Sequence, residues 1–148
     1  MCFLWANREN PSDVLRRYKA EEMDFIRWKE IIDEVSFYKP SIGLSGGEPL
    51  LYESVLDVIK YIKQKKMYCS LNTNGMLLSK FAEQLVKTKM DMIRISIDGP
   101  PDIHDQIRGV KGSFKKLMQG IESVNKEKEK LSSRLPLIEI YFTLTVEN

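Results

Sequence analysis

The hydrophobic residues of the chain follow two alternating patterns, which predict helices and strands in turn. Four segments carry apolar residues three or four positions apart, as one buried face of a helix does; they span residues 20–38, 52–66, 79–87 and 113–128. Four shorter segments are densely apolar and predict strands, at residues 41–45, 68–73, 92–97 and 137–146. Residues 1–19 follow neither pattern, and we expect an irregular segment there.

The order of these elements indicates the fold class. One helix is followed by three strand–helix pairs and a last strand, and a chain that alternates in this way forms right-handed βαβ units around a parallel sheet. Parallel strands are usually buried, which explains why all four segments are so apolar. The pattern therefore predicts an α/β fold with a parallel sheet.

Composition narrows the classes of protein further. The chain has 148 residues, 43% apolar and 30% charged, which is typical of one folded domain. A complete eight-stranded α/β barrel needs about 250 residues, so a barrel-like chain of this length is only part of one. A net charge of +2 gives no strong signal for nucleic acid, and no apolar run nears the roughly 20 residues that span a membrane. With two cysteines and no signal peptide, we expect a cytoplasmic protein.

Polar and glycine-rich segments follow each predicted strand at its carboxyl end. They are Gly46-Gly47-Glu48, Asn72-Thr73-Asn74-Gly75, Ser96 with Asp98-Gly99, and Glu147-Asn148. Ligands of α/β barrels and of open α/β sheets bind at this edge. We therefore predict that the functional site lies there.

The Gly-Gly-Glu segment has two interpretations. Adjacent glycines let the backbone turn sharply and approach a ligand, because neither carries a Cβ atom. Glu48 then presents a carboxylate that suits a cationic group such as an ammonium. Alternatively, the glycines form only a tight turn and Glu48 caps the next helix. The residues alone leave both open.

The remaining reactive residues give weaker signals. Two cysteines cannot by themselves make a zinc or iron–sulfur site; Cys2 alone is most simply an incidental thiol, and Cys69 is expected in the core. His104 is expected to order a loop. Arg108 can bind a carboxylate with two parallel hydrogen bonds or form a surface ion pair. Dinucleotide-binding, Walker A and His-Glu-x-x-His motifs are absent.

Together these motifs resemble the radical S-adenosylmethionine (SAM) superfamily. Gly46-Gly47-Glu48-Pro49 is similar to that family's Gly-Gly-Glu motif, and Asn72-Thr73-Asn74-Gly75 is similar to its Thr-Asn-Gly. Ser96-Ile97-Asp98-Gly99-Pro100, His104-Asp105, Arg108-Gly109 and Gly112-Ser113-Phe114 resemble the branch that modifies peptides and sulfatases. Met1-Cys2-Phe3-Leu4-Trp5 resembles the end of the family's Cys-x-x-x-Cys-x-x-Cys motif.

The resemblance implies a fold and two cofactors. The fold would be a partial (β/α) barrel, one incomplete radical SAM core domain over residues 1–148 that is truncated at both ends. The cofactors would be a [4Fe–4S] cluster, with Cys2 as one of three thiolate ligands, and SAM on the open iron. Reductive cleavage of SAM would give a 5′-deoxyadenosyl radical that abstracts hydrogen from a substrate. An electron donor such as a flavodoxin or ferredoxin would be needed.

The resemblance also assigns residues to SAM. Glu48 would accept a hydrogen bond from its amino group, and Gly46 and Gly47 would line it. Ser96 is a candidate for the ribose or carboxylate, with Asn74 and Arg108 as further candidates. No catalytic residue is assigned. The substrate is open, although the Ser-Ile-Asp-Gly-Pro and His-Asp…Arg-Gly pattern favours a peptide or protein over a small molecule.

The chain departs from the family pattern because the first two motif cysteines are missing. We therefore expect it to be an inactive piece of a larger enzyme. The alternatives are a degenerate, non-catalytic scaffold that keeps the SAM pocket, and an ordinary α/β barrel enzyme whose Gly-Gly loop binds phosphate. Glu48 disfavours the last, because its carboxylate would repel a phosphate. Apolar edge strands should leave the isolated chain poorly stable or self-associating.

Overall fold

A four-stranded parallel sheet forms the centre of the molecule. The computed structural model describes residues 22–146 and residue 148. The strands lie in the order β1-β2-β3-β4 and all pair in parallel. They are β1 (Ser41–Leu44), β2 (Tyr68–Thr73), β3 (Met92–Ile97) and β4 (Leu137–Phe142). The predicted α/β class and parallel sheet are confirmed.

Helices connect these strands. They are α1 (Phe25–Ser36), α2 (Val55–Gln64), α3 (Leu78–Lys87), α4 (Pro101–Arg108) and α5 (Ser113–Lys130), and a short 3₁₀ helix covers Pro49–Leu51. Among the described residues, no helix has both the length and the apolar character that crossing a membrane requires.

The two faces of the sheet differ in chemistry because side chains alternate along a strand. One face carries fully buried apolar side chains, including Leu71, Ile93 and Ile95, which form one core with apolar residues of the helices. The register places Gly43 beside Ser70, and Asn72 beside Arg94, on the opposite face. This second face is polar and leads toward the strand ends where the site was predicted.

The start of the first helix and the end of the last strand differ from their predicted positions. The first helix was predicted from residue 20, but residues 22–24 are not helical and Asp24 caps the helix, accepting a hydrogen bond from the Arg27 backbone N–H at 2.8 Å. The last strand was predicted to reach residue 146, but it ends at Phe142. There the chain turns back, and the Asn148 amide donates to the Thr143 carbonyl at 2.8 Å and to the Asp98 carbonyl at 2.7 Å.

One further expectation was wrong. The segment around His104 is not a loop: it is helix α4, which begins with Pro101 and ends at Gly109 in the left-handed conformation (φ 66°). Strand β4 lies at the edge of the described sheet, where the side chains of Leu137, Ile140 and Phe142 are about half exposed.

Candidate functional site

A cavity of about 310 Å³ lies at the carboxyl end of the sheet, where the sequence predicts the site. Residues at or just after the carboxyl ends of β1, β2 and β3 form most of its wall, and α4 and the start of α5 complete it. The lining residues are Ser45, Gly46, Gly47, Asn72, Thr73, Asn74, Met76, Ser96, His104, Arg108, Val110 and Ser113.

Five of the predicted site residues meet at this cavity. Gly46, Gly47, Asn74, Ser96 and Arg108 all line it, although they span more than sixty positions of the sequence. The parallel sheet brings them together because the carboxyl ends of its strands share one edge. Two predicted residues need separate treatment: Glu48 does not line the cavity, and Cys2 lies outside the described residues.

Glu48 joins the Gly-Gly loop to the end of β2. Its Oε1 accepts from the Thr73 hydroxyl at 2.8 Å and from the Leu50 backbone N–H at 3.1 Å, and its Oε2 accepts from the Asn74 backbone N–H at 2.9 Å. The bond to Leu50 makes Glu48 the cap of the 3₁₀ helix, as the simpler interpretation predicted. A carboxylate has about four lone-pair sites, so Oε2 can still accept from one more donor.

The Thr-Asn-Gly segment builds a turn that only glycine fits. The Thr73 hydroxyl accepts from the Gly75 backbone N–H at 3.1 Å, and the Asn74 side chain accepts from the Met76 backbone N–H at 2.9 Å. Gly75 has φ 80°, and a Cβ atom there would lie 2.9 Å from Cγ of Leu117. The motif therefore orients Asn74 at the cavity and lets α5 approach closely.

Arg108 is fixed at the cavity wall by an ion pair. Its Nε donates to Asp98 Oδ2 at 2.5 Å. The Asp98 backbone N–H also donates to Nδ1 of His104 at 3.2 Å, so the His104 proton is carried by Nε2. Burial lowers the pKa of His104, and its ring packs edge-on against Phe114. His104 is thus a buried neutral residue that joins α4 to the end of β3.

Asp105 binds the Gly112-Ser113-Phe114 segment through its carboxylate. Its carboxylate accepts from the Gly112 backbone N–H, from the Ser113 hydroxyl at 2.8 Å and from the Phe114 backbone N–H at 2.8 Å. These donors stabilise the charged form and lower the pKa of Asp105, with the Phe114 N–H as the largest cause. Asp105 therefore caps α5, and the His-Asp and Gly-Ser-Phe segments position two helices against each other.

Asn72 is a lining residue that the sequence analysis did not assign. Its Oδ1 is buried and has no hydrogen-bond partner within the part of the chain that the structure describes. A buried acceptor without a partner costs free energy, so it indicates a place where a ligand can donate. Strand alternation was the available signal, because it places Asn72 on the same sheet face as Ser96.

The described residues do not themselves form a metal site. No group of three or more His, Cys, Asp or Glu residues within them could hold a metal ion. Their one cysteine, Cys69, is fully buried in the core, where desolvation raises the pKa of its thiol to about 12. Such a thiol is a poor metal ligand because binding requires the thiolate. Cys69 is the core residue that the sequence predicts.

Comparison with known protein families gives a direct result. The family model described as "Radical SAM superfamily" matches residues 1–139. The chain belongs to the radical SAM superfamily. Membership in this superfamily implies a [4Fe–4S] cluster and S-adenosylmethionine, the two cofactors that the motifs predicted.

Curated radical SAM relatives match part of the chain at 31–39% sequence identity. An AdoMet-dependent heme synthase of Methanosarcina barkeri is 39% identical over 110 residues, which are 72% of this chain and 32% of that protein. An Fe-coproporphyrin III synthase of the same organism is 31% identical over 111 residues, 74% of this chain and 28% of that protein. A probable GTP 3′,8-cyclase of Thermococcus kodakarensis is 34% identical over 86 residues, 57% of this chain and 28% of that protein. The chain thus spans about a third of the length of these relatives.

A solved radical SAM structure has the same fold. It is native anSMEcpe with bound AdoMet and Kp18Cys peptide. Its sequence is 24% identical, the TM-score is 0.61, and the match covers 81% of this chain and 34% of the anSMEcpe chain. At this identity the similarity concerns the fold alone, and it confirms the predicted partial barrel.

Proposed function

We propose that the cavity binds SAM and that the full-length protein is a radical SAM enzyme. The observation that carries the proposal is the convergence of Gly46, Gly47, Asn74, Ser96 and Arg108 on one cavity at the carboxyl end of the sheet. These residues were assigned to SAM from their motifs alone.

The chemistry in and beside the cavity fits SAM, which carries an ammonium, a carboxylate and ribose hydroxyls. Glu48 lies beside the cavity rather than on its wall, and its Oε2 keeps a lone-pair site for the ammonium next to the lining residue Asn74. Arg108 offers further N–H donors to an uncharged oxygen such as a ribose hydroxyl, because Asp98 already compensates its charge. Ser96 adds a hydroxyl that can donate or accept. A carboxylate beside the cavity and an arginine that Asp98 already compensates disfavour a purely anionic ligand, and this argues against the phosphate-binding alternative.

The protein's part in catalysis would be to bind, orient and exclude water. Bound together, the cluster and SAM would supply the radical chemistry that removes a hydrogen atom from a substrate. Cys2 would be one cluster ligand, and an electron would come from a donor such as a flavodoxin or ferredoxin. The turn at Gly75 and the cap at Asp105 would keep the cavity wall rigid during this step.

Calorimetric titration of the chain with SAM tests the binding part of the proposal. Ser96→Ala should weaken SAM binding about fivefold, since one hydrogen bond contributes about 1 kcal/mol. Ser41→Ala is the matched control, because Ser41 is an exposed serine at the opposite end of β1. Equal affinities for Ser96→Ala and the unchanged chain, together with an unchanged affinity in Glu48→Gln, would show that SAM does not occupy this cavity.

A further inference from the structure

Three side chains form a line across the polar face of the sheet, next to the cavity. Asn72 on β2, Arg94 on β3 and Glu139 on β4 are register partners, so they project from the same face side by side. We call them the polar row. Ser96 stands two residues beyond Arg94 on the same face and lines the cavity, as Asn72 does. Two residues of a strand span about 6.6 Å, so the polar row adjoins the cavity.

Arg94 is held in place but keeps free donors. Its Nε donates to Glu139 Oε2 at 3.0 Å, its Nη1 donates to the Ser70 hydroxyl at 2.9 Å, and its guanidinium lies 5.6 Å from the ring centre of Tyr141. A guanidinium has five N–H donors, and within the described residues its Nη2 has no recorded bond. Because the Arg94 side chain is 27% exposed, a ligand can reach these donors.

Asn72 supplies the complementary group beside Arg94. Its buried Oδ1 has no hydrogen-bond partner among the described residues, and its register partner on the neighbouring strand is Arg94. A side-chain amide contains both a donor and an acceptor, so it pairs with another amide in either rotation of its terminal group. The polar row thus presents an N–H donor and an amide side by side.

The charge of the polar row decides which ligands fit. Glu139 already compensates Arg94, so the pair is neutral. A ligand carboxylate that approached Arg94 would meet the Glu139 carboxylate on the same guanidinium and be repelled. A neutral amide avoids this repulsion: its carbonyl can accept from Arg94, and its N–H can donate to Asn72.

We propose that Asn72 and Arg94 bind a neutral secondary amide of the substrate and so determine substrate specificity. This inference rests on the proposed function, because a substrate must lie beside bound SAM for its hydrogen to be abstracted. It adds a substrate class, an uncharged amide group, and two residues that recognise it. It excludes a carboxylate as the group bound at this position.

The test compares two small probes by NMR titration of the ¹⁵N-labelled chain. N-acetylglycine N-methylamide should shift the side-chain N–H signals of Asn72 and Arg94, and it should bind about fivefold more tightly than propionate, which corresponds to one additional net hydrogen bond. Tighter binding of propionate in the unchanged chain, or no shift of either side chain with the amide, would overturn the proposal.

Two variants test the roles of Asn72 and Glu139 separately, each with the amide and with propionate. Asn72→Ser shortens the amide-bearing side chain and should weaken binding of the amide about fivefold while leaving propionate binding unchanged. Glu139→Gln leaves Arg94 uncompensated, so the preference should reverse in favour of propionate. A Glu139→Gln chain that still prefers the amide would contradict the charge argument.

A calorimetric SAM titration of the same samples separates this proposal from the preceding one. If SAM binds but the amide does not shift Asn72 or Arg94, the amide site is wrong and the SAM site stands. If the amide binds as expected but SAM does not, the two residues still select amides, and the radical SAM assignment of the cavity is wrong.

Discussion

Single residues at the cavity serve the fold and the site together, and Glu48 does so through three hydrogen bonds. Its carboxylate joins Leu50 of the 3₁₀ helix to Thr73 and Asn74, which line the cavity. Its proposed contact with SAM therefore uses a carboxylate whose position is already fixed. A position fixed before binding lowers the entropy that binding costs.

Removal of this carboxylate should destabilise the chain even without SAM. We expect Glu48→Ala to lower the free energy of unfolding by about 1–3 kcal/mol, because the partly buried donors of Thr73 and Asn74 lose their acceptor. Glu53→Ala, at an exposed glutamate of the same loop region, should change it by about 0.5 kcal/mol or less. Urea denaturation followed by circular dichroism measures both, and equal effects would contradict the role given to Glu48.

His104 should make the stability depend on pH. Burial lowers its pKa, so below about pH 6.5 the unfolded chain takes up a proton that the folded chain does not. Stability should therefore be constant above that pH and fall as the pH drops below it, by up to about 1.4 kcal/mol per pH unit.

Urea denaturation between pH 7.5 and 5.5 measures this slope. His104 is the only histidine of the chain, so His104→Leu should remove most of the slope in that range. The same slope in both proteins would show that other groups cause it.

The sequence predicts residue identities at the site better than their contacts. Five residues that motif order assigned to the site line one cavity, because the ends of parallel strands share an edge. It could not show that Asp105 caps α5 or that Asn72 Oδ1 lacks a partner. Those facts depend on tertiary packing between segments that are distant in sequence, which spacing does not encode.

At the scale of elements, close contact between α3 and α5 supports the cavity wall. The helices meet at Gly120, where a Cβ atom would lie 2.7 Å from Cβ of Leu78 and 2.9 Å from the carbonyl oxygen of Gly75. Gly75 belongs to the turn that orients Asn74 toward the cavity. Packing of these two helices and the geometry of the site are therefore coupled.

A methyl group at this contact should separate the helices. We expect Gly120→Ala to lower the free energy of unfolding by about 1–3 kcal/mol, although alanine is normally the better helix former. Asn125→Ala, at an exposed position of the same helix, should change it by no more than about 0.5 kcal/mol. Thermal and urea denaturation measure the stability of both variants. A Gly120→Ala chain that is more stable than the original would rule out the close contact.

The strength of the hydrophobic pattern explains which elements the sequence predicts. The hydrophobic pattern predicts β2 and β3 with the bounds that the structure shows, because both strands are apolar and are bordered by turn residues. Helix α4 was missed because its eight residues contain only two aliphatic side chains, Ile103 and Ile107, and because it begins at the second of two consecutive prolines. Proline at the first position of a helix is common, so Pro101 was the signal that could have indicated it.

At the scale of the molecule, the described sheet has an exposed edge. Leu137, Ile140, Tyr141 and Phe142 of β4 each expose about half of their side chains. An apolar edge strand with unpaired backbone groups tends to pair with another chain. That the isolated chain self-associates stays a prediction, and β4 is the strand through which we expect it to pair.

Sedimentation velocity tests this location. The 148-residue chain should form dimers or larger species at micromolar concentration, and Ile140→Lys should shift it toward monomer, since a charge on an edge strand opposes pairing. Lys116→Leu, which adds an apolar residue on the exposed side of α5, is the control and should not reduce association. A monomeric chain at all concentrations would contradict the prediction.

The central claim is that this cavity belongs to an enzyme that cleaves SAM reductively. The most direct measurement is 5′-deoxyadenosine release by the full-length protein, reconstituted anaerobically with iron and sulfide and supplied with a reductant. We predict 5′-deoxyadenosine and methionine in equal amounts, lost in Cys2→Ala while circular dichroism shows the fold unchanged. A protein that carries all three motif cysteines and an assembled cluster, and that releases no 5′-deoxyadenosine, would contradict the account.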